Sequence, residues 1–360
     1  CSGVSWARDV YKRQGEERRT EIIKDFTTLS IEDMIAEEEM VLTITHNGYI
    51  KRTNLNTYRS QRRGGRGVQG ATSRDEDFVE HLFVANTHSY ILFFTDKGKC
   101  YWVKVYDIPE GGRAAKGRAI VNLIGCEPDE KVSAFISVKE FNEDHYVVMA
   151  TEKGMVKKTK LSAYSNPRKK GIYAVEIRDG DKLIEARVST GDNDILLGTR
   201  NGKSIRFSEE QIRASGRKTM GVKGITLSSE DDRLVGMLLI KREGTVLVAT
   251  EKGFGKRTEI SQYRAQKRGG KGVLTMKTTD KVGKMVTIKE VVDKDDLMII
   301  TNQGVLIRLP VAQIRSIGRA TQGVKLIKLG EGTLVSSITR IMSEEEEDEN
   351  NNTESTDPKE

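Results

Sequence analysis

The sequence predicts an all-β fold, six small sheets set around a ring, and three observations carry that expectation. A four-residue turn that begins with threonine and ends with glycine recurs six times, at spacings of 50, 56, 48, 51 and 51 residues. Apolar, strand-like runs flank the copies. The side chain thirteen residues beyond each threonine alternates around the six units, reading Tyr58, Ile108, Tyr164, Ile212, Tyr263 and Ile314. A unit of about fifty residues made of strands and turns cannot bury its own apolar face, so such units array radially and bury it against one another.

In chain order the turns are Thr45-His46-Asn47-Gly48, Thr95-Asp96-Lys97-Gly98, Thr151-Glu152-Lys153-Gly154, Thr199-Arg200-Asn201-Gly202, Thr250-Glu251-Lys252-Gly253 and Thr301-Asn302-Gln303-Gly304. Each follows an apolar run such as Ile91-Leu92-Phe93-Phe94 or Ile195-Leu196-Leu197 and opens a second one, such as Tyr49-Ile50-Lys51-Arg52. An x-Gly pair between two such runs is a hairpin signal. Twenty-two residues after the threonine a glycine recurs in five units (Gly67, Gly117, Gly221, Gly272, Gly323), and the shorter third unit reaches Gly171 after twenty. Basic residues precede that glycine and a third apolar run follows it. The alternating Tyr/Ile positions read as core. Helix is expected only near Ile31-Glu32-Asp33-Met34-Ile35-Ala36-Glu37 and in short turns such as Ser208-Glu209-Glu210-Gln211-Ile212.

The repeat outweighs the two or three domains that length alone suggests. It predicts one ring over residues 20–342, with units at roughly 39–87, 88–143, 144–192, 193–243, 244–294 and 295–342. Residues 1–14 carry no trace of the repeat, and 1–19 read as a non-native or linker segment. Residues 343–360, with Glu344 to Glu347, Asp348 and Glu349 followed by three asparagines, hold too little apolar surface to order and read as a disordered acidic tail. Charge divides the same way. The chain carries +7, the last eighteen residues −8 and the first forty −4, which leaves +19 on residues 41–342. A compact body so charged implies a polyanionic partner.

Several chemistries are excluded on context. Gly65-Arg66-Gly67-Val68-Gln69-Gly70 matches G-x-G-x-x-G, but it follows Arg59-Ser60-Gln61-Arg62-Arg63 rather than a buried strand and opens no helix, so it is no dinucleotide fingerprint. There is no phosphate-binding P-loop. His46, His81, His88 and His145 lie in unrelated contexts without metal-ligand spacing, and no serine, cysteine or tyrosine has a nucleophile's setting. Cys1, Cys100 and Cys126 form no motif and cannot all pair, which fits a reducing cytoplasm. Neither a signal peptide nor an eighteen-residue apolar run is visible, so no membrane association is expected.

The remaining signal is basic and glycine-rich. Gln61-Arg62-Arg63-Gly64-Gly65-Arg66-Gly67 and Gln266-Lys267-Arg268-Gly269-Gly270-Lys271-Gly272 are near copies 205 residues apart. Each sets three cations among three glycines, whose backbone can turn either way and bring N–H groups close to an anion. Equivalent positions of other units are basic too: Arg113, Lys116 and Arg118; Arg168, Lys169 and Lys170; Arg217, Lys218 and Lys223; Arg319 and Lys325. In a radial repeat equivalent positions share one edge, so these residues are expected to form a band that binds double-stranded DNA through its phosphates. No metal site is expected.

These residues resemble a known family, the C-terminal domains of the DNA gyrase A protein. The string of residues 61–67 matches the family's gyrase A box, Q-[RK]-R-G-G-[RK]-G. Further matches are Arg18-Arg19-Thr20-Glu21-Ile22, Ile31-Glu32-Asp33, Val84-Ala85-Asn86-Thr87-His88, Gly117-Arg118-Ala119-Ile120-Val121-Asn122-Leu123 and Gly318-Arg319-Ala320-Thr321-Gln322-Gly323-Val324. The resemblance covers about residues 17–342. A near-intact second box in the fifth unit departs from the family pattern and leaves open which loop leads.

The resemblance implies a six-bladed β-pinwheel, propeller-like in outline, with strands exchanged between four-stranded blades. It further implies a non-catalytic, DNA-wrapping part of a bacterial, cytoplasmic, nucleoid-associated type IIA topoisomerase. The catalytic tyrosine domain would lie N-terminal to this segment, and ATP and Mg would bind elsewhere, leaving no cofactor here. The partners would be the gyrase A N-terminal domain and the gyrase B protein, two copies of each, with the isolated domain a monomer. Two other readings remain. One is a topoisomerase IV C-terminal domain, whose box is degraded or absent. The other is a propeller-type protein-interaction scaffold, which would lack a basic band.

Overall fold

Each recurring turn folds as a tight hairpin, for reasons its four residues supply. In the third copy Gly154 has φ +82°, a conformation open to glycine, and its amide donates to the Thr151 carbonyl at 2.9 Å. The threonine hydroxyl accepts the amide of the residue four ahead: Tyr49 to Thr45 at 3.1 Å, Lys99 to Thr95 at 3.2 Å and Met155 to Thr151 at 3.2 Å. Threonine therefore closes the turn with both its carbonyl and its side chain.

The computed structural model describes residues 31–45, 47–54, 79–112, 115–127, 129–241, 244–302, 306–330 and 332–341. The chain divides into units 1–36 and 37–360. The first contributes a 3-10 turn, Ile31–Met34. The second holds all the strands among the described residues: β1 (Glu39–Thr45), β2 (Tyr49–Asn54) and β3 (Val79–Asn86); β4 (Tyr90–Thr95), β5 (Lys99–Lys104), β6 (Arg118–Ala119) and β7 (Val132–Val138); β8 (Tyr146–Thr151), β9 (Met155–Lys160), β10 (Ile172–Tyr173) and β11 (Leu183–Ser189). They continue with β12 (Asp194–Thr199), β13 (Lys203–Ser208), β14 (Val222–Lys223) and β15 (Leu234–Ile240); β16 (Thr245–Thr250), β17 (Phe254–Glu259), β18 (Val273–Leu274) and β19 (Met285–Val291); β20 (Asp296–Thr301), β21 (Leu306–Pro310), β22 (Val324–Lys325) and β23 (Val335–Ile341).

In five of the six units a two-residue strand leaves its own sheet and pairs with the second strand of the preceding one: β6 on β2, β10 on β5, β14 on β9, β18 on β13 and β22 on β17. Five sheets are thereby four-stranded. The sixth has β21, β20 and β23 among the described residues, and the corresponding dipeptide by sequence, Val68-Gln69, lies outside them. The recurring loop glycine makes the exchange possible. Gly272 has φ +68°, and a Cβ there would stand 2.4 Å from the Ser204 carbonyl oxygen of the sheet it joins.

The long third strands mark the hub. β7 contacts β11, β11 contacts β15, β15 contacts β19, β19 contacts β23, and β23 returns to β3. Phe83 of β3 stacks on Phe135 of β7 with ring centroids 4.9 Å apart. The opposite edge of each sheet, carrying the exchanged dipeptide and its loop, is therefore the rim. Strand alternation fills the space between neighbours. Ile91 and Phe93 pack into the cluster with Leu42 and Ile50 of the first blade, while Leu92 and Phe94 face Val147 and Met149 of the third. Ile108, Tyr164, Ile212, Tyr263 and Ile314 are all buried, as expected; Tyr58 lies outside the described residues.

In the first five units a donor seven residues beyond the threonine staples its blade to the next, while Arg308 of the sixth pairs with Asp296 of its own blade. Arg52 Nε donates to the Ile108 carbonyl at 2.7 Å, Trp102 Nε1 to Tyr164 at 2.9 Å, an Arg206 guanidinium nitrogen to Tyr263 at 3.2 Å and Arg257 Nε to Ile314 at 2.7 Å. Lys158 differs, pairing instead with buried Glu209 at 2.9 Å above the Tyr146 ring. The sequence missed one element. The run after Gly117 is not all strand: β6 ends at Ala119 and an α-helix, α1, spans Ile120–Ile124. Ile120 and Ile124, four apart, are its buried side chains, a helical period rather than a strand period. Of the two expected helical pieces, both form as 3-10 turns, the second being Glu209–Gln211 capped by the Ser208 hydroxyl.

Candidate nucleic-acid interface

Most of the described cations that the sequence singled out stand in the open on the rim. Lys116, Arg118, Arg168, Lys169, Lys170, Lys218, Lys223, Lys267, Lys271 and Lys325 are exposed, whereas Arg217, Arg268 and Arg319 are half-buried. The first box, residues 61–67, and Arg113 lie outside the described residues. Lys116 lies with its ammonium 4.0 Å from the centre of the Tyr49 ring, which gives that cation a defined direction.

The second box docks against the preceding blade by backbone. The Gln266 amide donates to the Arg206 carbonyl at 2.8 Å and the Gly269 amide to the Gly224 carbonyl at 2.6 Å. Thr226 answers from the other side, its hydroxyl to the Gly269 carbonyl at 2.7 Å and its amide to the Gly270 carbonyl at 2.9 Å. Arg268 works as a latch. Its amide donates to Gln211 Oε1 at 2.9 Å, its Nε to the Gln211 carbonyl at 2.9 Å, and a terminal guanidinium nitrogen to the Lys223 carbonyl at 3.2 Å. One blade on, the Arg319 amide donates to Gln262 Oε1 and its guanidinium to the Leu274 carbonyl, both at 3.3 Å. The middle arginine of the loop thus fixes the loop, while Lys267 and Lys271 on either side of it project into solvent.

Three lysines the sequence had not singled out hold the remaining loops from within. Lys51, Lys157 and Lys256 stand six residues beyond their threonines and are buried. Lys256 Nζ donates to the Gly318 carbonyl at 2.6 Å, to the Arg319 carbonyl and to Thr321 Oγ1 at 3.1 Å. Lys157 Nζ donates to the Ala174 carbonyl at 2.7 Å and to the Arg217 carbonyl, and Lys51 Nζ to the Gly112 carbonyl at 3.1 Å. Burial disfavours the charged form. It lowers the Lys157 ammonium to about 7, with Arg217 lowering it further and Glu176 opposing, and Lys256 to about 8, with Arg319 adding to the shift. Lys51 is lowered by burial as well. The equivalent residues of the alternate blades are Tyr101, Ile205 and Ile307.

Nothing else among the described residues assembles into reactive chemistry. No group of three His, Cys, Asp or Glu side chains there could hold a metal ion. Cys100 and Cys126 are free thiols, and burial pushes Cys100 well up. No helix among the described residues is long and apolar enough to cross a membrane. The arrangement is a rim of fixed cations and glycine turns, suited to holding a string of phosphates in place.

Comparison with known proteins agrees with that geometry. The family model described as "DNA gyrase C-terminal domain, beta-propeller" matches residues 39–86, 89–139, 145–190, 193–241, 244–291 and 295–341. The DNA gyrase A protein of Staphylococcus epidermidis is 47% identical over 341 residues, covering 94% of this chain and 38% of that protein. The chain therefore spans less than half the length of such relatives. Among solved structures, the C-terminal domain of a DNA topoisomerase IV superposes with TM-score 0.75 at 26% identity, covering 90% of this chain and all of that one. A DNA gyrase A C-terminal domain superposes with TM-score 0.69 at 24% identity, covering 85% and 100%, a likeness of fold.

Proposed function

The chain belongs to the family of DNA gyrase C-terminal domains, and from that premise we propose that it binds duplex DNA along its rim, without reading base sequence, and bends it around the ring. The observation that carries this reading is the run of exposed lysines and arginines on loops anchored blade after blade, on a segment of charge +19. The first box, Gln61 to Gly67 in sequence, completes the run and leads it. Base reading has no vehicle, because neither a recognition helix nor a reading ribbon stands on the rim among the described residues.

The magnitudes fit. Bending 20 to 30 base pairs by 40–90° costs roughly 1–6 kcal/mol, so a half-turn wrap costs on the order of 10 kcal/mol. A dozen or so phosphate contacts offset it. Joined to the rest of a gyrase A protein and to the gyrase B protein, in an enzyme with two copies of each, the wrap presents the adjoining DNA segment for strand passage in one sense and yields negative supercoils. This part cuts nothing and needs no cofactor of its own; the catalytic tyrosine, ATP and Mg belong to other domains, and the setting is the bacterial cytoplasm.

A second reading, the topoisomerase IV C-terminal domain, is favoured by the TM-score of 0.75. The 47% identity to a gyrase A protein and the intact first box favour gyrase. The experiment is a titration of duplex DNA between 50 and 200 mM salt. With about ten phosphates neutralised, affinity is expected to drop roughly 10³–10⁵-fold. A slope of only one or two released ions would refute the reading.

A further inference from the structure

The ring has a two-blade rhythm that the DNA-binding reading does not require. On the first, third and fifth blades the second strand reads Lys51-Arg52-Thr53, Lys157-Lys158-Thr159 and Lys256-Arg257-Thr258; on the others it reads Tyr101-Trp102-Val103, Ile205-Arg206-Phe207 and Ile307-Arg308-Leu309. The lysine of each triplet is buried and points at the rim loop of the following blade. Its partners there are backbone carbonyls, and for Lys256 also the Thr321 hydroxyl, which itself donates to the Gly318 carbonyl at 2.9 Å. The threonines help: Thr53 Oγ1 donates to the Gly111 carbonyl at 2.9 Å and Thr258 Oγ1 to the Ile317 carbonyl at 2.8 Å.

Stability does not account for this choice of residue. A buried ammonium that meets carbonyls rather than a carboxylate keeps much of its desolvation penalty, and a tyrosine or an isoleucine at the same position serves the alternate blades. What the ammonium does is set peptide orientation. A trans peptide is planar, its C=O and N–H pointing opposite ways. With the Arg217 and Arg319 carbonyls drawn inward, the amides of Lys218 and Ala320 point outward, and both residues are exposed on the rim.

We propose that Lys157 and Lys256 are positioning residues for phosphate seats, each drawing carbonyls of the following blade's loop inward so that the next amides, those of Lys218 and Ala320, face a DNA phosphate. The proposal rests on the DNA-binding reading above. It differs from a plain cationic band in that the contact is a backbone amide, oriented by a charge behind the loop. A phosphate in the seat favours that charge, so binding and protonation are linked; burial and Arg217 disfavour the Lys157 charge while Glu176 favours it, and burial and Arg319 disfavour that of Lys256.

The test compares the full chain with its Lys157→Met/Lys256→Met variant in duplex DNA binding at fixed ionic strength from pH 7 to 9.5. Wild-type affinity is expected to fall about tenfold across that range as the buried ammonium groups lose their protons. The variant is expected to bind about tenfold more weakly at pH 7 and to show a flat profile, with a melting temperature at or above that of wild type. A Lys267→Ala/Lys271→Ala control, which removes exposed cations from the other kind of loop, is expected to lose affinity equally at every pH while keeping the slope. Equal pH profiles for wild type and the Lys→Met variant would overturn the seat. Should that variant fold poorly, a flat wild-type profile overturns it by itself. No measurable duplex binding by wild type at any pH would instead show that the DNA-binding reading had failed.

Discussion

The loops at residues 266–272 and 317–323 occupy equivalent places on successive blades and reach rigidity by opposite means. The first is held from its edges. Its carbonyls and amides knit to Gly224 and Thr226, Arg268 locks on Gln211, and Gly270 lies against Ile205, to which a Cβ would come within 3.4 Å. The second shares the arginine latch, through Gln262, but is gathered from beneath by the Lys256 ammonium. The box loop at 266–272 thus sits on an apolar floor and ties itself down, whereas the Gly-Arg-x-Thr-x-Gly loops at 216–221 and 318–323 are held by a buried cation. Both deliver cations to the same rim, and a mutation should act through whichever support its loop uses.

The comparison is broken most severely at the first box. Changing Arg62, Arg63 and Arg66 to alanine in a reconstituted enzyme should abolish negative supercoiling while DNA relaxation or cleavage persists, and the matching change of Lys267, Arg268 and Lys271 should give the milder defect. Gel assays of supercoiling rate decide it, and a wild-type rate in the first variant would deny that box the leading role. Next comes Gly272→Ala. A Cβ at 2.4 Å from the Ser204 oxygen, at positive φ, should cost roughly 3 kcal/mol in denaturant unfolding. Gly318→Ala, whose nearest neighbour is 3.8 Å away, should cost little.

Smaller effects sharpen the contrast. Arg268→Ala removes the latch and should cost about 1–2 kcal/mol of stability, whereas Lys267→Ala should leave melting unchanged and weaken DNA binding alone. Loops held by lysine should also show in the pH dependence of folding. Lys157 and Lys256 titrate near 7 and 8 in the folded protein against 10.5 when unfolded. Between those values the unfolded chain binds more protons, so stability should rise from about pH 7 toward 10.5, the burial penalty being full below that window. Urea midpoints should climb from pH 7 to 9 in wild type and climb less in Lys157→Met/Lys256→Met. The least effect concerns the tail. Its −8 charge opposes the +19 of residues 41–342 on the same chain, so deleting residues 343–360 should tighten DNA binding a few-fold at low salt, and coincident titrations would mark the tail as a plain solubilising end.

Much of the fold was legible because backbone demands show in residue type. The Thr-x-x-Gly turns, the loop glycines and the alternating buried tyrosines and isoleucines all reflect positions with one sterically acceptable solution. The exchanged strands were legible only through family resemblance, since two residues such as Val273-Leu274 cannot display a period. α1 was hidden because Ile120 and Ile124 sit in a run apolar enough to read as strand. At the rim, the exposed lysines were found from basic residues recurring at equivalent places of the repeat. The lysines behind it were not, because a lysine in a strand ordinarily faces water; the available signal was its recurrence in every second unit, with threonine two residues on. Arg268 and Arg319 looked like free phosphate ligands and also serve as latches, a division of labour that requires the positions of Gln211 and Gln262.

The central claim is that the rim bends DNA along one continuous, handed arc. Its direct measurement is topological: nicked circular DNA is saturated with the protein, sealed with ligase, deproteinised and resolved by linking number. The account predicts a shift of a single sign that grows with the amount of bound protein and is lost when Arg62, Arg63 and Arg66 are replaced. Circles sealed at saturation with the linking-number distribution of free DNA would contradict it.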